Sequence, residues 1–257
     1  MSVDRRKFLK LSGLSALALT GGKPAGLFAP AERRQNHSSG ETQNGKRWAM
    51  VVDLRKCVRE KGCTKCIDAC HDVHNVPKFD NTKDEIKWIW KENYENAFEA
   101  EGDEFVKEGL REMPVPLLCN HCDNPPCVRV CPTKATWKRE DGIVMMDWHR
   151  CIGCRYCMAA CPYGSRSFNW RDPRPFIKNI HEEFPTRMRG VVEKCTFCDE
   201  RLARGQLPAC VEACNAKALV FGDLEDPESE VRRLLHDNFS IRRKPALGTN
   251  PEVYYIV

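Results

Sequence analysis

Sixteen cysteines of this 257-residue chain fall into four groups of four, and their spacing is the strongest chemical signal in the sequence. Thiolates are soft donors, so regular groups of four cysteines indicate a site for zinc or for iron–sulfur iron. The candidate metal ligands, in chain order, are Cys57, Cys63, Cys66 and Cys70; Cys119, Cys122, Cys127 and Cys131; Cys151, Cys154, Cys157 and Cys161; and Cys195, Cys198, Cys210 and Cys214.

The third group has the spacing C-x2-C-x2-C-x3-C-P, which is typical of bacterial ferredoxins. In such a run three cysteines on a tight loop reach three irons of one [4Fe–4S] cluster, and the fourth points toward a neighbouring cluster. The second group differs only by two extra residues between its second and third cysteines. We therefore interpret the sixteen cysteines as the ligands of four [4Fe–4S] clusters.

Disulfides, zinc sites and buried free thiols are the alternatives to iron–sulfur clusters. An even cysteine count in an exported chain is compatible with disulfides, but disulfide scaffolds are usually small. Paired C-x2-C units suit tetrahedral zinc, yet zinc sites rarely have the ferredoxin spacing. A structural or assembly module that binds zinc is therefore the alternative from another class of protein.

A cluster with four cysteine ligands has no open position for a substrate, which favours one-electron transfer over substrate conversion. We expect no catalytic residue, and whether the chain should be called an enzyme stays open. Histidines near the motifs are not expected as ligands, because the cysteines already complete each set. Several basic residues beside the motifs could raise the cluster potentials or simply be solvated: Lys56, Arg59, Lys65, Arg129, Lys134, Arg150, Arg155 and Lys194.

Short strands are predicted around the cysteine motifs. Trp48 to Asp53 and Pro114 to Leu118 read as strands that lead into the first two groups, and Leu219 to Phe221 as one that follows the last. Thr136 to Arg139 and Ile143 to Asp147 flank Glu-Asp-Gly, which indicates a hairpin. Together with one-turn helices, these elements predict an α+β fold of the ferredoxin type.

The first 31 residues have the features of a twin-arginine export signal. Arg5 and Arg6 precede Phe8 and a short apolar run that ends near Thr20, and small residues follow at 29–31. This segment contains five of the basic residues against one acid, so it accounts for most of the formal charge of +5. The remainder has no strong basic excess, which argues against nucleic-acid binding. We expect export to the periplasmic face of the cytoplasmic membrane and no transmembrane helix in the mature chain.

Over residues 47–225 the four motifs, in this order, resemble the four-cluster iron–sulfur subunits of the dimethyl-sulfoxide-reductase type, including the NrfC and HybA groups. The resemblance implies two interleaved ferredoxin-like domains with extended insertions. The implied segments are a signal at 1–31, a linker at 32–46, domain A at 47–79 and 190–223, an insertion at 80–112, domain B at 113–170, a crossover at 171–189 and a C-terminal extension at 224–257.

The same resemblance implies how the cysteines are shared among clusters. Each cluster takes three cysteines from one motif and the fourth from another. The implied sets are Cys57, Cys63, Cys66 and Cys214; Cys195, Cys198, Cys210 and Cys70; Cys119, Cys122, Cys127 and Cys161; and Cys151, Cys154, Cys157 and Cys131. The loop between Cys57 and Cys63 is longer than in the simple ferredoxin run, so this cluster is expected to be more exposed.

The stretch from Leu117 to Ile177 and the ending RRKPALGTNPEVYYIV are also similar to the DsrO group, the exported iron–sulfur subunits of DsrMKJOP complexes. That resemblance implies two partners: a quinone-reactive membrane subunit of the NrfD type and a multihaem cytochrome c. It also implies a role in dissimilatory sulfur metabolism, such as sulfate reduction. A sister complex for polysulfide, nitrite or hydrogen metabolism is the narrower alternative. The insertion at 80–112 could cover a cluster, dock a partner or form a solvated helix.

Overall fold

The computed structural model describes residues 45–99 and 108–257. The export signal predicted at 1–31 lies outside the described residues, and so do most of the linker at 32–46 and residues 100–107 of the insertion. None of the helices within the described ranges has the length and apolar character needed to cross a bilayer.

In the described ranges the strands are short. They are β1 (Trp48–Asp53), β2 (Ile89–Asn93), β3 (Pro114–Leu118), β4 (Thr136–Lys138), β5 (Val144–Met146), β6 (Ser167–Phe168), β7 (Val192–Glu193), β8 (Leu219–Asp223), β9 (Ser240–Ile241) and β10 (Val253–Ile256).

Most α-helices in the same ranges are single turns. They are α1 (Leu54–Cys57), α2 (Lys65–Val73), α3 (Tyr94–Ala97), α4 (Glu108–Arg111), α5 (Pro126–Arg129), α6 (Tyr156–Ala159), α7 (Asp199–Leu202), α8 (Ala209–Glu212) and α9 (Glu230–Asp237). Single turns of 3-10 helix occur at Thr82–Asp84, Arg174–Phe176 and Pro245–Leu247.

The largest sheet has the strand order β8-β1-β10-β9. Strand β1 pairs antiparallel with β8 and parallel with β10, so the last strand lies inside the sheet. Because side chains alternate across a strand, Met50 and Val52 enter the main core, whereas Ala49 and Val51 face a second apolar cluster that contains Val231 of α9. Both faces of the sheet are therefore buried.

Three two-stranded ladders complete the strand pairing: β2 with β3, β4 with β5, and β6 with β7. The strands predicted at 48–53, 114–118 and 219–221 and the hairpin around 140–142 are confirmed. The mixture of short helices and small sheets agrees with the predicted α+β class.

Part of the predicted insertion is core. Trp88 and Phe98 are buried, and β2 pairs along its whole length with β3. The alternative of a solvated helix is therefore wrong for the described part of this segment, because its aromatic residues supply the apolar surface that covers the neighbouring cysteine motifs.

Candidate metal centres

The structure brings the sixteen cysteines together in four groups, all within the described residues, and none of them forms a disulfide. Each group combines three cysteines of one motif with one cysteine of another. We name them site A (Cys57, Cys63, Cys66, Cys214), site B (Cys70, Cys195, Cys198, Cys210), site C (Cys119, Cys122, Cys127, Cys161) and site D (Cys131, Cys151, Cys154, Cys157). These groups coincide with the sets that the family resemblance implies; that they bind metal stays a prediction.

Helix contacts explain why distant motifs share sites. Helix α2, which contains Cys66 and Cys70, packs against α8, which contains Cys210. Helix α5, with Cys127, packs against α6, with Cys157. The first motif therefore meets the fourth, and the second meets the third.

Site A lies at the end of strand β1 in the largest sheet. The carboxylate of Asp53, the last residue of β1, accepts hydrogen bonds from the backbone N–H groups of Arg55 (3.1 Å) and Lys56 (3.3 Å). This N-cap begins α1 and holds Cys57 at the end of the helix. The Lys91 ammonium, from β2, donates a hydrogen bond to the backbone carbonyl of Cys63. One cavity is lined by all four cysteines of the site.

Burial disfavours the thiolate form of several cysteines in sites A, B and C. Burial raises the pKa of the Cys66 thiol to about 11, and the other three cysteines of site A add to the rise. Burial likewise raises the pKa of Cys122 and that of Cys195 to about 12 in each case. A bound metal centre removes this penalty, because a coordinating thiol is deprotonated by the cation's charge. The donor sets thus suit a cationic core with four thiolates.

In site D the backbone favours the thiolate at Cys131, whereas burial raises the pKa of Cys157. Burial raises the pKa of the Cys131 thiol, but hydrogen bonds from the backbone N–H groups of Thr136, Thr133 and Ala135 and from the Thr133 hydroxyl lower it by more. The pKa of Cys131 is therefore below its ordinary value. Hydrogen bonds to sulfur are also among the factors that set the reduction potential of an iron–sulfur cluster.

The loop of site D approaches another segment closely. Gly153 has φ +70°, and a Cβ placed there would lie 2.4 Å from the backbone oxygen of Gly190. A residue other than glycine at this position would therefore push the loop with Cys151 and Cys154 away from its support. Arg155, two residues later, also has a positive φ of 63°.

The four sites follow one another in a row of neighbours. Three electrostatic interactions between cysteines of different sites show which sites are adjacent. They are Cys66 with Cys70, Cys119 with Cys195, and Cys127 with Cys157. The order is therefore A, B, C, D. Sites A and D, at the two ends, each have three cysteines that are only partly buried, whereas every cysteine of site B is buried.

Two buried cations lie at the junctions of this row. Lys194 is fully buried between sites B and C and donates to the backbone carbonyls of Val144 and Cys195, the latter at 2.7 Å. Arg166 lies between sites C and D and donates from Nη2 to Cys127 Sγ at 3.0 Å. The sequence pattern indicated Lys194 but missed Arg166, because Arg166 follows Cys161 by five residues and only the return of the chain through β6 brings it to Cys127.

Most other basic residues predicted beside the motifs face solvent. Arg59, Lys65, Arg129, Lys134, Arg150 and Arg155 are exposed, and Lys56 is half-buried. Among the histidines, His74 lies near Cys198, but both its nitrogens have protein partners, the carbonyl of Cys70 at 2.8 Å and the carboxylate of Glu200 at 3.0 Å.

Comparison with known proteins identifies related chains. The model of the 4Fe-4S dicluster domain matches residues 111–174 and 180–224. The chain is 41% identical to Hdr-like menaquinol oxidoreductase iron-sulfur subunit 1 of Archaeoglobus fulgidus, with 98% of this chain and 97% of the relative covered. It is 37% identical to a tetrathionate reductase subunit of Salmonella typhimurium, covering 100% and 89%. It is 36% identical to NrfC of Escherichia coli, covering 100% and 96%.

Proposed function

Because the chain belongs to the family of [4Fe–4S] iron–sulfur subunits, we propose that it conducts single electrons along sites A, B, C and D between two partners of a membrane-attached oxidoreductase complex. The observation that carries the proposal is the row of four cysteine sets, each completed by a cysteine from a distant motif. In this proposal the chain contains two interleaved ferredoxin-like domains.

The sixteen cysteines would hold one [4Fe–4S] cluster in each of the four sites. A bound cluster supplies reversible one-electron chemistry and, with four thiolate ligands, no position for a substrate. The protein fixes the ligands, keeps water away from the two inner sites and supplies amide and cationic groups to the sulfurs. Zinc in the same sites would give a structural or assembly module instead, and this is the alternative that the experiment below excludes or supports.

The partners proposed from the resemblance to the DsrO group are an NrfD-type integral membrane subunit and a multihaem cytochrome c of a DsrMKJOP-like complex. The name of the relative from A. fulgidus includes a menaquinol oxidoreductase, which supports a quinone-linked role. Relatives named for tetrathionate reductase and NrfC keep a sister respiratory complex as the second candidate. We place the chain on the periplasmic face of the membrane, following the Arg5-Arg6 signal.

Metal analysis of the full chain tests the central proposal. Protein purified without oxygen is expected to contain iron and acid-labile sulfide in the amounts that four [4Fe–4S] clusters require. It should have a broad visible absorbance that dithionite bleaches. A colourless protein with zinc in place of iron would overturn the proposal.

Recovery of the partners tests the assignment to a complex. After gentle solubilisation of membranes that contain the native chain, we expect an NrfD-type subunit and a haem-staining cytochrome to copurify with it. Copurification with the catalytic subunit of a polysulfide, nitrite or hydrogen-metabolising complex would instead favour the sister complex.

A further inference from the structure

Arg166 is a buried side chain held between two cysteine sites. Only 4% of its surface is exposed. Its Nη2 atom donates to Cys127 Sγ of site C at 3.0 Å and to the Thr136 hydroxyl at 2.9 Å. Its Nη1 atom faces the Met146 sulfur at 3.8 Å, and its charge also acts on Cys157 of site D. One guanidinium is therefore shared by two sites.

Among the residues that the structure describes, no carboxylate forms an ion pair with Arg166. The partners of Arg166 among the described residues are a thiol, a hydroxyl and a thioether, and the charged groups that act on it most strongly are cysteines of sites C and D. Arg187, another buried arginine, provides a contrast, because Glu193 lies 2.6 Å from its Nη2 atom. Arg187 therefore contributes a neutral pair, whereas Arg166 contributes a net positive charge.

Burial decides how far such a charge acts. Charges that face water are screened, and their effect on a group several ångströms away is small. Arg150 is beside Cys151 of site D, but its side chain is 67% exposed and is paired with Asp147. Arg166 acts in a medium of lower dielectric constant, where the same charge has a much larger effect. An arginine also stays protonated at every pH in which the protein is folded.

We propose that Arg166 raises the reduction potentials of both site C and site D by favouring the electron that each gains. The proposal rests on the proposed function, since it requires redox-active clusters in these sites. A reduced cluster has one more negative charge than an oxidised one, so an unpaired cation nearby stabilises the reduced form. Electrons are thereby drawn toward the C and D end of the row.

Two substitutions of Arg166 compare loss of its positive charge with retention of that charge, and a substitution of Arg150 serves as the control. Arg166→Gln removes the charge and replaces the guanidinium with a shorter, neutral amide. Arg166→Lys keeps the positive charge but replaces the planar guanidinium, with its several N–H donors, by a single ammonium group. Arg150→Gln is the matched control, because it removes an equal charge beside site D from an exposed position. The measurement is a potentiometric titration of the full holoprotein followed by electron paramagnetic resonance, with iron and sulfide content determined for each variant.

The signals of sites C and D are identified as those that Cys119→Ser and Cys151→Ser abolish. In Arg166→Gln we expect both potentials to fall, so that the ratio of reduced to oxidised cluster at a fixed solution potential drops about tenfold, which is ~59 mV for one electron. Sites A and B should keep their potentials. Arg166→Lys and Arg150→Gln should leave all potentials near those of the wild type.

If Arg166→Gln does not retain iron, Thr136→Asp gives the same test with the arginine in place. Its carboxylate would lie against the guanidinium, and we expect the same two potentials to fall. If sites C and D keep their potentials in iron-loaded Arg166→Gln or Thr136→Asp protein, the role of Arg166 is overturned, and the proposed function is not affected. A wild-type protein without iron and sulfide would overturn the proposed function as well, so the two failures are distinguishable.

Discussion

Arg187 and Glu193 form an ion pair inside the core, with Nη2 and Oε2 2.6 Å apart and both side chains almost completely buried. Glu193 also accepts hydrogen bonds from the Trp88 indole at 3.0 Å and from the Asn169 amide at 2.5 Å. The guanidinium in turn donates to the backbone carbonyls of His74 and Asn75. This network joins strand β7, just before Cys195, to the loop that follows α2, so it holds the fourth motif against the first.

Glu193→Gln is expected to destabilise the protein strongly. It leaves a buried guanidinium without its counter-charge, and breaking a buried pair in this way costs about 3–5 kcal/mol. The midpoint of urea unfolding, followed by tryptophan fluorescence, measures the change. Glu183→Gln is the control, because the ion pair of Glu183 with Arg204 faces solvent, is screened by water and should contribute little to stability. Equal effects of the two substitutions would contradict the structural role of the buried pair.

Pairs of cysteine substitutions test the sharing of sites. Cys214→Ser and Cys57→Ser both remove a ligand of site A, so the double variant should lose no more iron than either single variant. Cys214→Ser with Cys195→Ser removes one ligand from each of two sites, and this double variant should lose the iron of two clusters. Iron content per chain and the number of paramagnetic signals after reduction decide between these outcomes. The reverse result would indicate that each motif binds its own cluster.

Gly153→Ala should weaken site D in particular. The new methyl group meets the Gly190 oxygen at 2.4 Å, and the positive φ adds the strain of a left-handed conformation, about 1–2 kcal/mol. Gly164→Ala is the matched control, since Gly164 also has a positive φ of +65° but no atom within 4 Å of an added Cβ. We expect loss of one cluster's iron on mild heating in Gly153→Ala only. Similar heat sensitivity in both variants would mean that backbone strain, and not the contact with Gly190, is responsible.

Removal of iron should unfold much of the chain. The helices that contain the cysteines are mostly single turns, and helices this short are not stable by themselves. Metal binding in such a protein is coupled to folding. After treatment with a strong iron chelator under reducing conditions, we expect loss of far-ultraviolet circular dichroism and rapid proteolysis within 119–161. A chelated protein with the native spectrum and native protease resistance would show that the apolar core is sufficient.

The sequence predicted those parts of the fold that depend on local patterns. Apolar runs such as Trp48 to Asp53 form strands because both faces of the sheet are covered, and the turn at Glu140-Asp141-Gly142 forms a hairpin because Gly142 adopts φ +85°. The spacing of the cysteines indicated the chemistry, since a metal restricts which residue types can surround it.

The pattern could not indicate partners that are distant in the chain. Arg166 contacts Cys127, and Arg187 contacts Glu193, because loops return these residues to the core. The spacing of residues in the sequence does not predict such long-range contacts. Trp88 lies in the charged stretch at 80–112, yet it is fully buried. A charged stretch can still bury one of its faces, and composition alone does not reveal which.

The arrangement of the sites along the chain has a consequence for biosynthesis. Residues 119–161 contain every cysteine of sites C and D, whereas sites A and B need cysteines from both sides of this segment. During translation sites C and D can thus be completed first, while Cys57, Cys63, Cys66 and Cys70 wait for a segment that the ribosome has not yet made. With clusters in these sites, as proposed, those early thiols would lack their full ligand set until residue 214 has emerged, and a reducing compartment would protect them from oxidation.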